Sequence, residues 1–242
     1  MPRRIVIIGA IVAFAGLILV GGVAAYVLRT PAAPSGAQTA IPVLPTAVAQ
    51  TTQSELQPEV TEPSTLIVAE LIQGESEARF IINEILNGNP KTVVGVTNDV
   101  AAQIVVDPDN PSATRLGVVQ VNARTLVTDS GNRNRAIQNQ ILDTAEFEFI
   151  TFSPTSLINF PSSGAVEETY TFQIVGDLTI RAITRQVTFD VTVTVESETR
   201  LSGLATASIL RSEFDLVIPQ VPQVAGVDEA VGLELEFVAV AQ

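Results

Sequence analysis

The second half of the chain contains Gly176-Asp-Leu-Thr-Ile-Arg-Ala-Ile-Thr-Arg-Gln-Val-Thr-Phe-Asp-Val-Thr-Val-Thr-Val195, and this stretch decides the fold. From residue 187 to residue 196, every odd position is apolar and every even position is polar. Such alternation is typical of a β-strand with one dry face and one wet face. The pair Gly176-Asp177 predicts a break between strands that is too short for a parallel crossover. The sequence therefore predicts an antiparallel β-meander.

Alternating segments recur through the rest of the chain and set the fold class. Candidate strands cover residues 65–72, 77–83, 92–97, 100–106, 115–123, 147–158, 167–175, 177–183, 187–196, 202–210 and 233–240. Residues 130–142 differ, because Ile137 and Ile141 lie four apart with few β-branched neighbours, which predicts one short helix. Antiparallel strands with one helix predict an all-β fold, either a closed barrel or a sandwich.

The N-terminus carries an uncharged run from residue 5 to residue 28, bracketed by Arg4 and Arg29. A helix of this length spans roughly 36 Å, which is enough to cross a hydrocarbon core of about 30 Å. The length favours an uncleaved transmembrane signal-anchor at 1–29, with cleavage of a secretory signal as the alternative. Positive charge before the run predicts a cytoplasmic N-terminus and an extracytoplasmic C-terminal domain in a single-pass membrane protein.

Residues 30–63 are rich in Pro, Ala, Thr, Ser and Gln and contain neither aromatic nor basic side chains. Such a segment has too little apolar bulk to offset the entropy of ordering it, so the sequence predicts a disordered linker. The expected organisation is an anchor at 1–29, a linker at 30–63 and a β-barrel domain at 64–242.

The net charge and the amino-acid composition argue against several classes of function. Beyond Arg29 the chain has ten basic and 26 acidic residues, a formal charge of −16, which disfavours nucleic acid and anionic headgroups as partners. It has no His and no Cys, which removes triads built on either residue, thiol nucleophiles and most zinc sites. We therefore expect no cofactor, no metal and no enzymatic activity.

Four segments in series carry a family resemblance. They are 105–111, which opens Val-Val-Asp-Pro; 132–152, which opens Asn-Arg-Asn-Arg-Ala-Ile; 175–189; and 208–240, which opens Ser-Ile-Leu-Arg-Ser-Glu-Phe. Together they resemble the polyisoprenoid-binding YceI-like family of bacterial cell-envelope proteins, over residues 64–242. The resemblance implies a lipocalin-like antiparallel β-barrel whose apolar tunnel holds a long isoprenoid chain, without established catalytic activity.

The chain departs from the family pattern at three places. Asn134 follows Arg133 where the family has an Arg-Asp pair, and Arg181-Ala182 stand where it has His-Gly. Glu148 stands where the family has a proline after an aromatic residue. These departures bear on contacts with the polar end of a ligand and leave the predicted fold unchanged.

The apolar strand faces are the candidate ligand-binding site. A polyprenyl chain offers only methyl and methylene surface, and burying each CH₂ stabilises a complex by about 0.8 kcal/mol. The candidate contacts are large residues on apolar strand faces or at their ends: Phe80, Ile82, Phe147, Phe149, Phe152, Phe172, Phe189 and Phe214.

Two functions are consistent with these sequence features. The first is a membrane-tethered carrier or buffer that holds a polyisoprenoid or another apolar lipid. The alternative is a β-sandwich protein-interaction module of the cell envelope with no lipid ligand. A continuous internal cavity separates the two. The expected partners are the apolar lipid and the membrane, through the N-terminal helix, and assembly as a homodimer is left open.

Overall fold

A computed structural model describes residues 30–43, 66–108 and 110–242. The predicted transmembrane helix and the second part of the predicted linker lie outside these ranges. Within the described ranges, no helix is long and apolar enough to cross a membrane.

The described part of the domain is built almost entirely from β-strands. They are β1 Ile67–Leu71, β2 Glu77–Leu86, β3 Asn89–Thr97, β4 Val100–Ala101, β5 Gln103–Val106, β6 Arg115–Leu116, β7 Val119–Asn122, β8 Phe149–Ile158, β9 Thr169–Ile180, β10 Ile183–Ser197, β11 Arg200–Leu210, β12 Val224–Val227 and β13 Ala230–Ala241. Short 3₁₀ turns at Pro111–Ala113, Ala123–Thr125 and Arg211–Phe214 connect some of them.

All thirteen described strands belong to one sheet with antiparallel pairing throughout. The main order is β4-β7-β8-β9-β10-β11-β13-β1-β5-β6, and β2 pairs with β13, β3 and β12 off this path. Strand β4 lies at one edge of the sheet and β5 lies next to the other edge, yet only Ala102 separates the two strands in sequence. The two edges therefore approach each other, and the sheet curls into a half-barrel. The prediction of an all-β antiparallel fold is confirmed, with the predicted closed barrel replaced by a sheet interrupted at this point.

Strand β9 corrects one prediction. It runs through Gly176 and Asp177, both paired with β10, so the predicted break at these residues is wrong. The chain turns instead at Arg181-Ala182, where Arg181 has φ 56°. Gly176 leaves room for a neighbouring side chain, because a Cβ there would lie 2.5 Å from the Phe152 ring on the adjacent strand.

The predicted short helix is confirmed between β7 and β8. Helix α1 spans Gly131–Ala136, and a π-type segment, Ile137–Ile141, continues it. Ser130 caps the helix, since its hydroxyl accepts a hydrogen bond from the backbone N–H of Arg133. Ile137 and Leu142 are buried and fix the helix against one end of the half-barrel, which we call the helix end.

Residues 30–43, the first part of the predicted linker, pack along the outside of the domain, and we call them the strap. At the helix end, Ser35 donates hydrogen bonds from its backbone N–H and its hydroxyl to the carboxylate of Glu148. Arg124 donates to the carbonyl of Ala33 at 2.9 Å and forms an ion pair with Glu148 at 2.8 Å. The sequence predicts a disordered tether here, whereas these contacts hold residues 33–35 against the domain.

The other half of the strap is held by side-chain amides. The amide group of Gln38 donates to the carbonyl of Asp99 at 3.2 Å, and the backbone N–H of Val43 donates to the amide oxygen of Gln103 at 2.7 Å. A Cβ at Gly117 would lie 3.0 Å from Val43, so the strap lies close against the wall. Side chains presented by the folded domain thus hold a segment that has little apolar bulk of its own.

Glu148, one of the departures from the family pattern, is the centre of this contact. Burial alone would raise its pKa, but the hydrogen bonds from Ser35, the charge of Arg124 and the amide of Asn122 outweigh burial and lower the pKa. The carboxylate therefore stays ionised at neutral pH, the state in which it accepts all of these hydrogen bonds.

Candidate functional site

The inner face of the half-barrel is apolar, as the alternation in β10 predicts. Val187 and Val191 are buried and Phe189 packs on the core from the same face, whereas Thr188 and Thr192 are exposed. The predicted inward and outward faces of this strand are confirmed.

The apolar inner face surrounds a cavity of about 1120 Å³. The cavity follows the whole of β9, whose even-numbered residues from Tyr170 to Ile180 contribute side chains to its wall except at Gly176. Ten residues of strand span about 33 Å at roughly 3.3 Å per residue. The volume exceeds the usual range of about 300–1,000 Å³ for small-molecule sites. The site is long and apolar, a shape that fits a chain-like ligand.

Three inward-facing glycines keep the cavity open by letting phenylalanine rings lie flat against the sheet. A Cβ at Gly95 would lie 2.0 Å from the Phe80 ring, and one at Gly203 would lie 2.6 Å from the Phe237 ring. Both are directly opposed cross-strand pairs, and Gly176 takes the Phe152 ring diagonally. With a larger residue in place of the glycine, each ring would have to swing into the cavity.

Five of the eight predicted site residues line the cavity, namely Phe80, Ile82, Phe152, Phe172 and Phe189. Phe152 and Phe189 meet edge to face with ring centroids 4.9 Å apart, so neighbouring strands present one aromatic surface. Their contact with a ligand stays a prediction.

The other three predicted residues do not line the cavity. Phe214 is fully buried in the core at the helix end, at 0% exposure. Phe147 lies before β8 with its ring 5.9 Å from the guanidinium of Arg181. Phe149 occupies the opposite face of β8 from Phe152, since the two lie three positions apart in a strand of period two.

Sequence reasoning missed three aromatic residues of the cavity wall, namely Tyr170, Phe160 and Phe237. Phe237 alternates with Val231, Leu233 and Leu235 on β13, so a period of two would have found it. Phe160 lies in the loop after β8 and contacts Phe172 edge to face at 4.9 Å. No periodic signal marks a loop residue of this kind.

Charged residues are sparse in the wall, and one ion pair stands out. Glu84, at the end of β2, is 8% exposed, and its carboxylate pairs with the guanidinium of Arg133 on α1 at 2.6 Å. Arg133 also pairs with Asp129, and Lys91 on β3 pairs with the same Asp129. Of these four residues, Glu84 and Arg133 form part of the cavity wall at the helix end.

Across the described ranges, no group of three or more Asp or Glu residues lies close enough to bind a metal ion. Asn134, where the family has Asp, accepts hydrogen bonds from the backbone N–H and hydroxyl of Thr128 and so supports the start of the helix.

A curled antiparallel sheet around a long apolar cavity defines the lipocalin-like class of β-proteins. Within this class the chain belongs to the YceI-like domain family, whose sequence profile matches residues 70–239. The resemblance found in the sequence is thereby confirmed.

Solved structures share the fold at low sequence identity. Burkholderia cenocepacia BcnA is 17% identical with a TM-score of 0.56, over 69% of this chain and 98% of that chain. A polyisoprenoid-binding domain from Saccharophagus degradans, implicated in plant cell wall breakdown, is 12% identical with a TM-score of 0.57, over 72% and 98%. A search of curated proteins finds no match.

Proposed function

We propose that this protein is a membrane-tethered, extracytoplasmic lipid-binding protein that holds a polyisoprenoid or a similar long apolar chain, without catalysing a reaction. The observation that carries the proposal is the apolar cavity of about 1120 Å³ along β9. The related domain from Saccharophagus degradans is described as polyisoprenoid-binding, which supports the same class of ligand.

The walls of the cavity suit a hydrocarbon ligand. Valine, isoleucine, leucine and phenylalanine side chains line most of it, so transfer of each methylene group from water is worth about 0.8 kcal/mol. A chain of several isoprene units then gains affinity from length and needs few directional contacts. The protein-interaction alternative requires a filled sandwich interior, and the open cavity favours the lipid-binding function.

The strap supports the tethered part of the proposal. Residues 1–29, the predicted anchor, directly precede the strap, and the strap's first contacts, at Ala33 and Ser35, lie at the helix end. A chain held there leaves little free length between an anchor and the domain. The helix end of the cavity is then the end nearest the membrane, which is where a lipid would enter.

Lipid retention tests the binding function. We expect native mass spectrometry of the full-length protein in detergent to show a bound apolar lipid that solvent extraction recovers. Gly95→Ala should push the Phe80 ring into the cavity and remove the space of about one methylene group. That loss corresponds to a roughly fourfold lower affinity.

Gly232→Ala is the matched control for this experiment. Gly232 faces outward on β13, and a Cβ there would lie 3.6 Å from Ile81, an ordinary contact distance. Its lipid occupancy should equal that of the wild type. Equal occupancy in Gly95→Ala, or a protein without any bound lipid, would contradict the proposed use of the cavity.

Membrane association tests the tether separately. The full-length protein should stay in the membrane fraction after an alkaline carbonate wash, because an uncleaved apolar helix is held by the bilayer itself. N-terminal sequencing should find residue 1 or 2 intact. A soluble form that begins near Tyr26 would establish cleavage and a freely diffusing lipid-binding protein.

A further inference from the structure

We infer that the cavity selects lipids with an uncharged end and rejects the diphosphate forms of the same chains. This inference rests on the proposed function and adds to it the class of ligand. It comes from the arginines of the cavity wall, each of which is already neutralised by carboxylates of the protein.

Arg133 is the cation best placed to meet a ligand at the helix end. Its side chain is 18% exposed, and the guanidinium forms ion pairs with two carboxylates, Glu84 at 2.6 Å and Asp129. The hydrogen bond from Lys91, together with the charge of Arg133, lowers the pKa of Asp129, so this carboxylate is ionised at neutral pH. Lys91 is thus engaged by the same network, in which two acids face two bases.

The other arginines that line the cavity repeat the pattern. Arg200, toward the opposite end, pairs with Glu75 at 2.6 Å and with Glu196 at 2.7 Å. Arg211 pairs with Glu229 at 3.0 Å.

Arg79 lies among three acids. Its ion pairs are with Glu77, with Glu234 at 3.6 Å and with Glu236 at 2.7 Å. Every arginine in the described wall of the cavity therefore has at least one carboxylate partner in place.

A diphosphate needs N–H donors and net positive charge to bind. The arginines of this wall already donate to carboxylates of the protein, which also balance their charge. An incoming phosphate would compete with Glu84 for the same guanidinium and would be repelled by that buried carboxylate. Glu84 cannot turn to bulk water without leaving its pocket, because it is only 8% exposed. A hydroxyl group carries no charge and can donate a hydrogen bond to a carboxylate oxygen, so an alcohol end is compatible with the same wall.

A competition between two chains of equal length tests the inference. Full-length protein in detergent is mixed with equimolar geranylgeraniol and geranylgeranyl diphosphate, and native mass spectrometry separates the two complexes by mass. We expect occupancy by the alcohol to exceed that by the diphosphate at least tenfold. In Glu84→Gln the neutral amide no longer balances the charge of Arg133. The ratio of alcohol to diphosphate occupancy should therefore fall to about threefold or less.

Asp190→Asn is the matched control, since it makes the same charge change on an exposed residue that faces away from the cavity. Its ratio should stay at the wild-type value. If Glu84→Gln does not fold, Asp129→Asn removes the charge of the other partner of Arg133 at a position that is 55% exposed. This variant should also lower the ratio of alcohol to diphosphate occupancy.

The outcomes distinguish the two proposals. Binding of neither lipid would contradict the proposed function itself. Occupancy by the diphosphate equal to or above that of the alcohol in the wild type would overturn the inference and leave lipid binding intact. A ratio unchanged in both Arg133-partner variants would show that these carboxylates do not set the selectivity.

Discussion

Replacing Phe189 with aspartate is expected to lower the free energy of unfolding by about 4 kcal/mol. The substitution removes the edge-to-face contact with Phe152, at 4.9 Å between ring centroids, and withdraws a large side chain from the packed inner face. It also places a carboxylate on an apolar wall. Urea denaturation followed by far-UV circular dichroism measures the change, since the chain has no tryptophan.

Thr192→Asp is the control on the same strand. Thr192 is exposed on the outer face of β10, so a charge there stays solvated and the change in stability should be below about 0.5 kcal/mol. Equal destabilisation by the two aspartates would mean that the two faces of β10 are assigned wrongly.

The sequence predicted the strand faces well because the signal is local. Alternation in β10 needs only the order of residues, and a curled sheet with one dry face imposes that order directly. The same logic, applied to β8, would have excluded Phe149. Two residues three apart in a strand cannot both face inward, and Phe152 is the one on the cavity side.

The break predicted at Gly176-Asp177 failed because glycine has two roles that look alike in sequence. In a turn it supplies unusual backbone angles, and in a sheet it leaves room for a neighbouring side chain. Here the neighbour is the Phe152 ring on β8, which lies 24 residues earlier in the chain. Only the pairing of the strands shows which role applies.

The polar part of the site could not be predicted from the sequence, because it also depends on which strands and helices come together in the fold. Glu84 and Arg133 belong to different elements and read in sequence as solvated charges, yet the fold brings them to 2.6 Å at the cavity wall. Glu148 and the strap are a further case. The strap's composition predicts disorder, and the groups that order it, Arg124 and Glu148, belong to the folded domain.

Phe214 provides the second large expected effect and separates stability from binding. Its side chain is fully buried at the helix end, in one cluster with Ile137 and Ile209, and it does not line the cavity. Phe214→Ala should therefore leave a void in the core and cost about 4 kcal/mol of stability. The fraction that remains folded should hold lipid with the wild-type affinity.

Phe172→Ala is the matched comparison, because Phe172 is also a core phenylalanine but forms part of the cavity wall. It should lower both stability and lipid occupancy, whereas Phe214→Ala lowers stability alone. Urea denaturation and native mass spectrometry on the same preparations measure the two quantities. Lost lipid occupancy in folded Phe214→Ala would show that the ligand reaches deeper into the helix end than the cavity wall indicates. Phe214 would then belong to the binding site, as the sequence first suggested.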